Sequence, residues 1–140
     1  MTAAGIFSVG KYLPSNIVTN QDLENVVDTT HEWIVTRTGI EERRIGNDKE
    51  STAYMAFKSA EEALHAAQLS PLDIDLIIVA TTTPNRKFPS VASMVHDKLG
   101  CVDIPAYDLN AACSGFIFGL INAQQFIENG MYKHVLVIGA

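Results

Sequence analysis

Two places in this 140-residue sequence combine residue types able to do chemistry with a spacing that lets them act together. The first is Cys113, flanked by Ala111, Ala112, Ser114 and Gly115. It lies between a predicted strand ending near Leu109 and a predicted apolar helix, so its sulfur is expected at the positive end of that helix. A helix N-terminus favours a thiolate, the form of cysteine that attacks a thioester carbonyl and takes the acyl group. The small neighbours would let a substrate come close. Spacing alone leaves open a plainer reading, in which Cys113 is a small buried apolar side chain.

The second place is the pair Trp33 and Arg37, four residues apart on a predicted short helix and so on one face of it. An indole plane can stack on a purine, and a guanidinium can bind a phosphate with two hydrogen bonds. A lone tryptophan equally serves as a core anchor. The other candidates are weaker. His65 falls on a polar helix face, and His31, His96 and His134 sit near element ends, where solvated histidines are common. Cys101 follows Gly100 in a loop and reads as a packed or spare thiol. With only two cysteines, no Cys-x-x-Cys pair and no zinc-type histidine spacing, neither a disulfide framework nor a metal site is expected. No P-loop or Gly-x-Gly-x-x-Gly fingerprint is present, which weighs against nucleoside-triphosphatase and dehydrogenase readings.

The elements that must position these residues follow from apolar periodicity. Strands are predicted at Gly5–Tyr12, Ile40–Ile45, Ile74–Ala80, Ala106–Leu109 and Val135–Gly139. A one-sided helix follows Ser51 or Thr52. Its apolar face carries Ala53, Ala56, Phe57, Ala60, Ala63, Leu64 and Ala67, opposed by Lys58, Glu61, Glu62, His65 and Gln68. Ser90 is a good N-cap for a helix reaching Leu99 and stopped at Gly100. Thr29 with Glu32 has capping-box spacing for a short helix ending before Gly39. After Cys113, a run that is apolar on nearly every side predicts an interior helix stopped by Gly130, with Gly115 and Gly119 forming a stripe for close packing. Strands alternating with helices give an α/β class with a mostly parallel sheet, helices on both faces and one helix buried. At this length, with 47% hydrophobic residues, one core is expected. The chain stops in or just after a buried strand, so residues 1–140 read as a truncated domain.

The net charge of −6, with no basic stretch beyond Arg43-Arg44 and Arg86-Lys87, argues against nucleic acid and anionic membranes as partners. The start lacks a signal-peptide pattern, and the strongest apolar run is too short to cross a bilayer, which points to a cytoplasmic protein.

The stretch Asp28-Thr-Thr-His-Glu-Trp-Ile-Val-Thr-Arg-Thr-Gly-Ile-Glu-Glu-Arg-Arg44 closely resembles the signature of the 3-oxoacyl-(acyl carrier protein) synthase III family, thiolase-like condensing enzymes of fatty-acid initiation. Tyr12-Leu-Pro14, Ala80-Thr-Thr-Thr with Phe88-Pro-Ser90, and Ala111-Ala-Cys-Ser-Gly-Phe116 resemble it in the same order, covering nearly the whole chain. The resemblance implies the N-terminal half of a thiolase-like fold, with Cys113 as the catalytic residue acylated by a starter acyl-CoA, usually acetyl-CoA. Malonyl-acyl carrier protein then decarboxylates and attacks the acyl-enzyme. By the same resemblance Trp33, Arg37 and Thr29 bind coenzyme A, which is a substrate rather than a cofactor. Phe88 is implied to reach the acyl pocket of the other subunit of a homodimer, although Arg86 and Lys87 make its loop more basic than the family pattern. The His and Asn that complete the family's catalytic set match nothing here, so the chain alone is expected to be an incomplete catalyst. Two other readings remain open. One is a relative with another starter or acceptor, such as a hydroxymethylglutaryl-CoA, polyketide-type or quinolone-pathway synthase. The other is a non-catalytic module that dimerises with or modulates a full-length partner.

Overall fold

A computed structural model describes residues 3–140. In chain order the elements are β1 (Ile17–Thr19), α1 (Asn20–Glu24), α2 (His31–Thr38), β2 (Glu42–Arg44), α3 (Thr52–Ala67), β3 (Leu76–Ala80), α4 (Val91–Leu99), β4 (Ala106–Leu109), α5 (Gly115–Glu128) and β5 (Val135–Gly139). They fall into two compact units, one of residues 13–51 and one of residues 3–12 with 52–140.

The larger unit is built on a parallel sheet with strand order β4-β3-β5. Ile77 to Ala80 pair with Ala106 to Leu109 on one side, and Leu76 to Ala80 with Val135 to Gly139 on the other. Every residue of β3 is buried, as a continuous Leu-Ile-Ile-Val-Ala run requires of a central strand covered on both faces. Ile77 and Val79 point to a cluster with Ala53, Ala56, Ala60 and Leu64 of α3 and Val91, Ala92 and Val95 of α4. Ile78 and Ala80 alternate to the opposite face and meet α5. The predicted caps hold at Ser90, whose hydroxyl accepts from the Ser93 N–H, and at Gly100, which is left-handed at φ 76°.

α5 lies against the sheet through Gly115, Gly119 and Ala123. A Cβ on Gly119 would stand 2.9 Å from Val137 Cγ1, and one on Gly115 3.2 Å from the Ala80 Cβ. The glycine stripe thus serves close helix–sheet packing, as the sequence predicts. The expected interior position of the helix is not reached within the described residues. Phe116, Ile117, Phe118 and Ile121 are exposed, because only one side of the helix has a surface to rest on.

The strand predicted at Gly5–Tyr12 is absent. Extended backbone becomes a strand only when another strand pairs with it, and here the segment is tied to α3 instead. Ser8 Oγ donates to the Ala63 carbonyl (2.9 Å), and the Lys11 N–H donates to Glu62 Oε2 (2.6 Å). Gly10 passes so close to the backbone of Ser59 and Ala63 that a side chain could not fit.

In the smaller unit β1 and β2 form an antiparallel pair, with Ile17, Val18 and Thr19 opposite Arg44, Arg43 and Glu42. β2 is shorter than the predicted Ile40–Ile45, since it pairs only as far as β1 extends. α1 carries a capping box between Thr19 and Asp22 that the sequence reading passed over. The Thr19 hydroxyl and N–H hold the Asp22 carboxyl below its ordinary pKa. The N-cap of α2 is Thr30, not Thr29: the Thr30 hydroxyl accepts from the Trp33 N–H at 3.1 Å, which places the N3 position at Trp33 rather than Glu32. Gly39 ends the helix in the left-handed region as expected (φ 70°).

Gly119→Ala forces Val137, a stiff β-branched residue, away from α5. The expected loss is about 1–3 kcal/mol of stability, read as a lower urea midpoint at unchanged slope. An unchanged midpoint would show that the helix is not held at the distance described.

Candidate functional site

In an open parallel sheet, ligands bind beyond the carboxyl ends of the strands. Cys113 lies at that edge. β3 ends at Ala80, β4 at Leu109 and β5 at Gly139, and the ends are tied by bonds from the Thr81 N–H to the Leu109 carbonyl (3.2 Å) and from the Ala140 N–H to the Ala80 carbonyl (3.0 Å). Residues Ala112–Ser114 form a single 3-10 turn between β4 and α5, and the Cys113 side chain is exposed. The junction predicted from the sequence is therefore present, and the alternative of a buried apolar cysteine is not. Cys101 is the buried cysteine, 7% exposed, and burial pushes its thiol pKa up. Of the two free thiols, Cys113 is the one a reagent can reach.

The turn carries a backbone feature that composition did not reveal. Ala112 has φ 46°, a left-handed conformation that costs an L-residue about 1–2 kcal/mol, one residue before the thiol. Nothing in an Ala-Ala-Cys sequence signals it, because glycine is the usual marker of positive φ. The conformation turns the chain sharply from β4 into α5 and presents Cys113 outward.

The loop over residues 81–90 is the second component of this edge. Asn85 Oδ1 accepts from the Ala53 N–H at the start of α3 (2.9 Å), and Thr52 Oγ1 donates to the Thr83 carbonyl (2.8 Å). At its far end the two Asp108 carboxylate oxygens accept from the Val91 and Ala92 N–H groups at 2.9 and 2.7 Å. Charge-assisted bonds at a helix N-terminus are strong ones, so Asp108 ties the start of α4 to the strand that leads to Cys113. Between these anchors Arg86, Lys87 and Phe88 are exposed, Phe88 to 86%. The sequence reading found Phe88 but missed Asn85 and Asp108. A carboxylate inside the short strand Ala-Tyr-Asp-Leu was the available signal, since an acid in a covered strand needs donors.

In the smaller unit the structure brings Trp33 and Arg37 together on α2. The Arg37 guanidinium carbon lies 4.4 Å from the indole centroid, and Trp33 is half exposed, which is not the setting of a core anchor. Thr29 is half-buried just before the Thr30 cap. His65 is exposed, as expected of the polar face of α3, whereas His31, His96 and His134 are half-buried. His31 and His134 each make a side-chain contact, to Asn20 and to the Asp73 carbonyl, while His96 Nε2 is buried without a partner. No helix among the described residues is long and apolar enough to cross a membrane.

The positive φ at Ala112 gives a graded test. Ala112→Gly should keep stability within about 1 kcal/mol of the parent, as relief of strain offsets the added chain entropy. Ala112→Val should lose about 2 kcal/mol or more, because a β-branched residue is poorly tolerated there. Equal urea midpoints for the two variants would argue against the turn as described.

Residues 107–140, which include the turn and α5, match the family model for 3-oxoacyl-[acyl-carrier-protein (ACP)] synthase III. The chain is 57% identical over 136 residues to the β-ketoacyl-[acyl-carrier-protein] synthase III of Oceanobacillus iheyensis, covering 97% of this chain and 44% of that protein. The crystal structure of 3-oxoacyl-[acyl-carrier-protein] synthase III from Aquifex aeolicus VF5 superposes with a TM-score of 0.93 at 54% identity, over 96% of this chain and 44% of that one. The priming β-ketosynthase of the R1128 polyketide pathway is also similar, at TM-score 0.92 and 36% identity over 96% of this chain and 40% of that one. The chain thus spans less than half the length of the relatives it matches. Its α/β architecture is that of the thiolase-like condensing enzymes, and by the extent and level of identity the chain belongs to the β-ketoacyl-[acyl-carrier-protein] synthase III family.

Proposed function

We propose that this chain supplies the acyl-accepting cysteine and the coenzyme A nucleotide site of an enzyme that starts type II fatty-acid synthesis by decarboxylative Claisen condensation. The observation that carries the reading is the exposed Cys113, on a turn at the carboxyl edge of the parallel sheet, in a chain of this family. In the proposed first half-reaction the Cys113 sulfur attacks the thioester carbonyl of the starter acyl-CoA, acetyl-CoA in the simplest case. The bond from the acyl carbon to the coenzyme A sulfur breaks, and coenzyme A leaves as the free thiol. In the second, malonyl-acyl carrier protein loses carbon dioxide, and the electron pair of the broken bond forms a new carbon–carbon bond to the acyl group. The Cys113 thiolate departs, leaving a 3-oxoacyl carrier protein. No cofactor beyond the coenzyme A thioester is called for.

Trp33 and Arg37 are proposed to hold the nucleotide end of coenzyme A, the indole by stacking on adenine and the guanidinium at phosphate, with Thr29 beside them. Phe88, exposed on a loop anchored at both ends, is proposed to enter the acyl pocket of a second subunit in a homodimer. The reading places the protein in the cytoplasm, where its thioester substrates are made. Likeness to the priming β-ketosynthase of the R1128 polyketide pathway supports a second reading, a polyketide-type relative with another starter or acceptor. The exposure of Phe88 also suits a module that dimerises with a full-length relative without catalysis of its own.

The two half-reactions can be separated by isotope exchange. Labelled coenzyme A should exchange into acetyl-CoA with no malonyl-carrier protein present. Cys113→Ala should abolish the exchange, and Arg37→Ala should raise the coenzyme A concentration needed by about tenfold, the scale of one charge-assisted contact. Replacing acetyl with longer acyl groups would identify the preferred starter. Exchange that persists in Cys113→Ala would remove this cysteine from the mechanism, and its absence in the parent chain with every starter, even with a complementary C-terminal half of the family supplied, would favour the non-catalytic module.

A further inference from the structure

The smaller unit contains one fully buried polar side chain whose position the reaction does not explain. Asn20, the first residue of α1, is 0% exposed. Its Nδ2 donates to the Ile40 carbonyl at 2.8 Å and faces His31 Nδ1 at 3.3 Å, while its Oδ1 accepts from Arg43 Nη2 at 2.8 Å. Its own N–H donates to the Glu41 carbonyl at 3.1 Å. Arg43 fixes which end of the amide is oxygen, because a guanidinium only donates. The other end then presents its two N–H groups to residues at opposite ends of α2: His31 is the first residue of the helix, and Ile40 follows its Gly39 cap. The same Arg43 guanidinium donates through Nη1 to the Val18 carbonyl (3.2 Å), so β1 and β2 are drawn into the network.

We propose that Asn20 is a positioning residue for the nucleotide site, its buried amide fixing both ends of α2 so that Trp33 and Arg37 stay stacked and aligned for a purine and its phosphate. The proposal rests on the reading of Trp33 and Arg37 as the coenzyme A nucleotide site. One side chain sets the helix in place from both ends, and the arrangement needs an amide specifically. A carboxylate would keep the bond to Arg43 but would aim an oxygen without a proton at the Ile40 carbonyl, and an apolar side chain would take from Arg43 Nη2 and the Ile40 carbonyl the partner they have in Asn20. The capping pattern Thr19-x-x-Asp22 places Asn20 at the start of α1, where its side chain can turn inward.

The test uses Asn20→Asp and Arg43→Lys in the 140-residue protein, with two readouts. In the free protein the upfield ring-current shift of the Arg37 side-chain protons reports stacking on Trp33. Because Trp33 is the only tryptophan, titration of its fluorescence with coenzyme A and with adenosine 3′,5′-bisphosphate reports nucleotide binding. Both variants should keep the amide spectrum of residues 52–140. Asn20→Asp should lose most of the ring-current shift and weaken both ligands by about tenfold, the scale of a lost buried hydrogen bond. Arg43→Lys, which keeps the charge but loses the planar fork, should show a smaller loss of the same kind. If Asn20→Asp unfolds residues 13–51, Arg43→Lys decides. An unchanged shift and unchanged affinities in the folded variants would overturn the positioning role. Absence of ligand binding in the parent protein, with the shift still lost in the variants, would instead overturn the nucleotide reading and leave the role of Asn20 intact.

Discussion

The contact on which the larger unit depends is the one between α5 and the parallel sheet. The helix can approach β3 and β5 because Gly115 and Gly119 offer no side chain where Ala80 and Val137 already stand. That approach places the first turn of α5 directly beyond the end of β4, so the connection has room for only a short turn. A strained residue, Ala112, completes the change of direction, and the thiol of Cys113 is left outside. Packing and chemistry are therefore coupled through a few backbone atoms: what presses the helix onto the sheet also presents the cysteine.

The two units use different means to hold their candidate groups in place. In the larger one the means is apolar, a β-branched central strand between an alanine-lined pair of helices and a glycine-striped one, supplemented by Asp108 and Asn85 where the loops meet helix N-termini. The smaller unit buries little besides Pro14, Ile34 and Asn20, and hydrogen bonds among Asn20, His31, Ile40 and Arg43 do much of the organising. So short a segment buries too small an apolar surface to rely on it alone. Polar networks of this kind are sensitive to the loss of any member, which suits them to fixing a geometry.

Much of this was legible in the sequence where a single residue type has one dominant use. Ser90, Gly39 and Gly100 mark helix ends because hydroxyls and left-handed glycines satisfy terminal backbone groups, and β4 and β5 begin and end where their apolar runs do. Reading failed where the outcome depends on a distant partner. The extended segment at residues 5–12 has strand composition but lies on α3, and α5 has interior composition but one open side. The cap of α2 was expected at Thr29, and the helix register puts it at Thr30. Cys113, Trp33 and Arg37 were recognisable as candidates by type and spacing, which left Cys113 and Trp33 a plainer structural reading as well. Asn20, Asp108 and the conformation of Ala112 were not, because their importance comes from what folding brings to them.

The central claim is that Cys113 is the residue that receives the acyl group, and mapping the adduct tests it most directly. After incubation with acetyl-CoA and digestion, mass spectrometry should find one acetyl group on the peptide carrying Cys113, labile to hydroxylamine as a thioester is. The peptide carrying Cys101 should be unmodified, as its burial requires. Acetylation at Cys101 or lysines, with Cys113 left free, would contradict the account.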